Sequence, residues 1–149
     1  MANPLISNDD RKNIIIMRRL KALLIRKIVV TGLFWCLPLL AFPPAWFVAL
    51  GMPAPEPMLF VRLLGAAYLA LLVGYYFGLR GLDKGEDPAP VIHMGIASNG
   101  LAALLLAYFG ISGAWSAWGG GANIFMWLST FGAGTMTFSL LGFRHFRPH

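Results

Sequence analysis

The chain has 149 residues, room for a single domain, and 58% of them are apolar while only 12% are charged. A soluble domain carries roughly 45–50% apolar and about 25% charged residues, so this chain lacks the charged surface that meets water, and a multi-domain enzyme with separate cofactor and substrate lobes is excluded. Most of the net charge of +6 stands in front of lipid-soluble segments, which points to anionic lipid headgroups as its partner and not to nucleic acid.

Residues 7 to 10 read Ser-Asn-Asp-Asp, a helix N-cap cluster. The segment that follows, to Lys27, mixes Ile14, Ile15, Ile16, Met17, Leu20, Leu23 and Leu24 with seven of the twelve basic residues. A basic surface helix over 8–27 is expected. Its apolar positions spread too widely for a clean amphipathic face, so a docking site for another protein is the other reading.

Four apolar stretches follow, at about 28–50, 58–79, 91–111 and 122–143. Each reaches the roughly 20 residues that a spanning helix needs, and an all-α integral membrane four-helix bundle is the predicted fold. The first stretch continues through Pro43 and Pro44 without a signal-peptide cleavage pattern, so it belongs to the mature protein. Pro38, Pro43 and Pro44 remove backbone donors: either the helix kinks, or it stops near Phe42 and a short interfacial helix begins at Pro44. Cys36 is the one cysteine, which leaves no intramolecular disulfide.

The loops divide by charge. Arg80 and Lys84 follow the second span and Arg144 and Arg147 the fourth, whereas residues 51–57 and 112–121 hold no Lys or Arg. The positive-inside rule puts both termini and the 80–90 loop in the cytoplasm. Trp46, Trp115, Trp118 and Trp127 fall at the opposite ends of their spans, as expected of headgroup-level aromatic rings.

In the second span Ala66, Ala70, Gly74 and Gly78 recur every four residues, a ridge of small side chains that admits a second helix closely. Ser129, Ala133 and Thr137, with Thr130 and Gly134, repeat the theme in the fourth span, and make these two helices partners of one another or of a neighbour. Arg62 heads the ridge; it can snorkel, pair with Glu56, or form an anion site at the outer mouth. His93 lies in reach of Tyr75 or Tyr76 at the other side. Asn99, near mid-membrane, needs a polar partner, for which Ser98, Thr135 and Thr137 lie at comparable depth. The three histidines, His93, His145 and His149, have no pairing at helical spacing, so neither a metal site nor a bis-histidine haem is expected, and no cofactor is assigned. No nucleophile, base and orienter can be assembled, and an enzyme is not expected.

The run Phe42-Pro-Pro, Leu50-Gly-Met-Pro-Ala-Pro-Glu-Pro57, Arg62-Leu-Leu-Gly-Ala66 and His93-Met-Gly-Ile96 resembles a loose group of uncharacterised bacterial four-helix membrane proteins of the DoxX-like kind. The resemblance covers roughly residues 30–110 and implies a helical bundle of the bacterial inner membrane without an assigned activity. Where such proteins often carry a charged residue early in the third helix, this chain has Asn99. The reading as a whole is a non-catalytic structural or accessory membrane protein, such as a small subunit of a larger inner-membrane complex, contacting lipids and other membrane subunits or itself. The alternative is a binder or carrier of a small anionic or lipidic solute at Arg62.

Overall fold

The prolines decide where the first membrane helix stops. In the computed structural model, which describes residues 8–144, helix α1 (Asn8–Thr31) runs into a π-helical segment, Gly32–Cys36, and then into α2 (Leu37–Ala41). Pro38 has no N–H for the turn before it and its ring crowds the carbonyl four residues back. The widened π turn lies over that position, and Leu37 N–H donates to Gly32 O across it. Pro43 and Pro44 end the helix: Phe42 and Pro43 are extended, and a separate short helix α3 (Pro44–Ala49) follows. Both alternatives left open by the sequence are therefore realised, a distortion at Pro38 and a stop after Ala41.

Three uninterrupted helices complete the chain, α4 (Met58–Asp83), α5 (Ala89–Ile111) and α6 (Gly120–Leu141). Asp87 accepts the N–H of Ala89, the first residue of α5, at 3.0 Å, while Pro88 is the N-cap and Pro90 sits in the first turn, where a missing amide costs nothing. The α1–α2 helix and the other three are long and apolar enough to cross a membrane, and the protein is an all-α, multi-pass membrane bundle. The helices alternate in direction. One end, the basic end, carries the start of α1, the turn at 84–88 and the end of α6; the far end carries the two longer loops.

There is no break between a surface helix and a first span. The sequence places that boundary at residue 27, but α1 continues through it, and Leu20 and Leu24 are completely buried. They join Leu72, Tyr75 and Leu82 of α4, Val91 and Ile92 of α5, and Met136 and Leu140 of α6 in the main core. Hydropathy averaged over a window hides this, because the arginines of α1 face outward while Leu20 and Leu24, four residues apart, face the bundle.

At the far end the two loops meet. Gly119 N–H donates to Gly51 O at 2.7 Å, and a Cβ on Gly51 would lie 2.8 Å from Gly119 Cα. Gly51 also has φ of +84°, so backbone angle and contact both require glycine there. Trp115, expected from its position to present its ring to the headgroups, is instead enclosed by the protein: it is buried against Gly110, with its ring 5.9 Å from that of Trp127. Its Nε1 is the one buried side-chain polar atom among the described residues without a hydrogen-bond partner. The N-cap cluster at 7–10, His145, Arg147 and His149 fall outside the residues whose side chains are described.

Candidate functional site

Arg62 enters from the far half of α4 and meets the broken end of α2. Its Nη1 donates to Leu39 O at 2.8 Å and its Nη2 to Phe42 O at 2.7 Å. In an unbroken helix the carbonyl of Leu39 would accept the amide four residues on, which is Pro43 and has no N–H. The guanidinium, a planar fork of donors, therefore replaces a backbone bond that proline deletes. One step further along α4, Gly65 lies against Leu39 and Leu40, where a Cβ would come to within 2.9 Å of Leu40. The Phe42-Pro-Pro and Arg62-Leu-Leu-Gly sequences are thus two halves of one structural joint, and the partners of Arg62 are the carbonyls of Leu39 and Phe42, not Glu56.

A second polar assembly lies in the middle of the bundle. Asn99 is ten residues into α5 and twelve from its end, about 15 Å and 18 Å respectively at the helical rise, and is 3% exposed. Its Nδ2 donates both to Tyr75 Oη at 3.0 Å and to Gly95 O at 2.7 Å. The Tyr75 hydroxyl in turn lies 3.2 Å from Ser98 Oγ, which donates to Gly95 O at 3.4 Å. With Ser98 donating to the backbone and Asn99 donating to the phenol, the Tyr75 proton is directed at Ser98. Asn99 Oδ1 accepts from the ammonium of Lys27. The assembly ties α1, α4 and α5 together, and Gly95 leaves the space for it: a Cβ there would meet Leu140 at 2.5 Å and Tyr75 Oη at 3.2 Å.

Lys27 is the member that sequence reasoning missed. Its sequence position groups it with the surface cations of α1, yet it lies six residues, about 9 Å along the helix, beyond Lys21. Lys21 marks the basic end by its 2.7 Å ion pair with Asp83 at the close of α4. The signal available in the sequence was the pairing of a basic residue at the membrane edge with an amide at mid-span, within reach of a four-carbon stem. Ser98, expected near Asn99, is present in the assembly through Tyr75. Thr135 and Thr137 instead donate to their own helix, to Phe131 O and Ala133 O, as hydroxyls in apolar helices do.

The three candidate binding residues do not converge. Arg62 is at the far half, Asn99 at the centre, and His93 is exposed near the start of α5, while Tyr75 turns to Asn99 and Ser98. The small-residue ridge divides as well. Gly74 and Gly78 lie against Met94 and Val91 of α5, but Ala66 and Ala70 are exposed. Helix α6 packs principally along α5, not α4, with Gly110 against Trp127 and Gly95 against Leu140. No group of three or more His, Cys, Asp or Glu residues that could hold a metal occurs among the described residues.

Compared with family models, with curated proteins and with solved structures, the chain matches none.

Proposed function

We propose that the chain is a non-catalytic accessory protein of the bacterial inner membrane, a small subunit that packs against other membrane chains, with both termini and the 84–88 turn in the cytoplasm. The observation that carries this reading is the engagement of the embedded polar side chains. Asn99 has both amide donors filled by Tyr75 and Gly95 and its oxygen engaged by Lys27, and Arg62 holds the α2 break through two carbonyls. Such bonds stabilise a membrane bundle by about 0.6–2 kcal/mol each and serve its architecture.

The exterior supports the same reading. Gly132 and Thr135 are exposed on α6, and a Cβ at Gly132 would meet nothing within 4 Å. Glycine inside a helix costs about 1 kcal/mol relative to alanine, and here no neighbour within the chain offsets that cost. A second helix seated on this face would. The DoxX-like resemblance adds the inner membrane as location. Solute binding at Arg62 would have to compete with the two carbonyls already held there.

Extraction of the native membranes in mild detergent and purification through a tag on this chain tests the reading. Other chains in fixed stoichiometry, or a defined homo-oligomer, are expected. A monodisperse single chain that binds or moves an anionic solute on its own would contradict it.

A further inference from the structure

The cations of α1 that do not enter the core define a second place of interest. Arg19, Ala22, Leu23 and Arg26 of α1 face Ser139 of α6 and Phe143 just beyond it, and together they line an open groove of about 420 Å³. Arg19 and Arg26 are seven residues apart, two turns on one face of the helix, and both are exposed. About 10 Å separates them along the axis, within the combined reach of two arginine side chains toward one anionic group between them. None of the lining residues is acidic. Ser139 donates its own proton to Thr135 O at 2.8 Å, so the donors offered to a ligand are the two guanidinium groups. Leu23, Ala22 and Phe143 supply an apolar wall beside them.

The depth of the groove follows from its neighbours. Ser139 and Phe143 flank Leu141, where α6 closes, and Lys21, between the two arginines in sequence, pairs with Asp83 at the close of α4. The groove therefore opens where the spanning helices reach the membrane boundary of the basic end. An occupant there needs a negative headgroup and a hydrocarbon tail.

We infer that the groove between α1 and α6 is a binding site for an anionic glycerophospholipid, whose phosphate is held by Arg19 and Arg26 and whose acyl chain lies against Leu23 and Phe143. Arginine forms two-pronged bonds with phosphate, which a diffuse attraction of scattered lysines to the surface does not reproduce. The bound lipid bridges the first and last helices.

Native mass spectrometry of the full chain in mild detergent, titrated with phosphatidylglycerol or separately with phosphatidylcholine, tests this. The first phosphatidylglycerol should bind more tightly than phosphatidylcholine. Arg19→Ala with Arg26→Ala should weaken it about 25-fold, at about fivefold for each arginine, and leave phosphatidylcholine unchanged. Both side chains are exposed, so folding should be retained, and the double lysine variant should recover part of the loss. Arg80→Ala, a cation at the same end outside the groove, should have no effect. Equal loss with Arg80→Ala, or full retention in the double alanine variant, would overturn the site. Displacement of the lipid by millimolar inorganic phosphate would make it a free-phosphate site, and a copurifying protein lost with the same two arginines would assign the groove to that protein; either result also overturns the proposal.

Discussion

Removing the guanidinium at residue 62 would strand the carbonyl of Leu39, to which Pro43 offers no backbone donor, and that of Phe42, where the helix has stopped and Trp46 N–H donates to Pro43 O instead. An unsatisfied buried polar group costs about 1–3 kcal/mol, so Arg62→Ala should lower the thermal stability of the detergent-solubilised protein by that order. Arg62→Lys should recover roughly half, because a compact ammonium donates well to one carbonyl but does not span two as the fork does. If Arg62→Ala melted like the wild type, the capping role would be wrong. The importance of Arg62 and Asn99 was legible from their types, since an ionisable or amide side chain inside an apolar run demands a partner. Their partners were not. The sequence points to headgroups or Glu56 for Arg62 and to Ser98, Thr135 or Thr137 for Asn99, whereas Arg62 answers the backbone that Pro43 leaves open. That relation was readable as the four-residue step from Leu39 to Pro43. Lys27 escaped because a hydropathy boundary, not a helix face, assigned it to the surface.

At the scale of the helix, the repeat of small residues in α4 marks two different environments. A Cβ added at Gly78 would lie 2.5 Å from a methyl of Val91, whereas at Gly74 the nearest atom is the Met94 sulfur at 3.1 Å. Valine is stiff and methionine adapts. Alanine gains about 1 kcal/mol over glycine in helix propensity, against an overpacking cost of about 1–3 kcal/mol. The cost should win at residue 78 and the gain should at least cancel it at residue 74. Thermal melts should therefore show Gly78→Ala destabilised and Gly74→Ala near wild type; the reverse order would contradict the α4–α5 packing. The four spans were legible from length and apolar content, to within a few residues for α4, α5 and α6. The start of the first was not, because α1 buries Leu20 and Leu24 while displaying cations on its other faces. A four-residue repeat also cannot tell which half of a ridge meets a neighbour; that depends on the inclination of the two helices.

For the molecule as a whole, the alternation of helix directions puts the basic residues at one end and the two loops joined at Gly51 and Gly119 at the other. The charge asymmetry predicts that the basic end is cytoplasmic. In a Cys36→Ala background, Glu56→Cys and Ser116→Cys should react with an impermeant thiol reagent added to intact cells, and Lys84→Cys should not; the opposite pattern would invert the orientation. The central claim concerns what the apolar exterior meets. Gly132→Leu keeps α6 apolar, improves its helix propensity and adds bulk where the chain has no neighbour. The most direct measurement compares the wild type and this variant in the same mild-detergent purification, recording the associated chains and the melting temperature together. The account predicts that associated chains are lost while the melting temperature of the bundle holds or rises. An unchanged complement of partners, or a bundle that unfolds with Gly132→Leu, would contradict it.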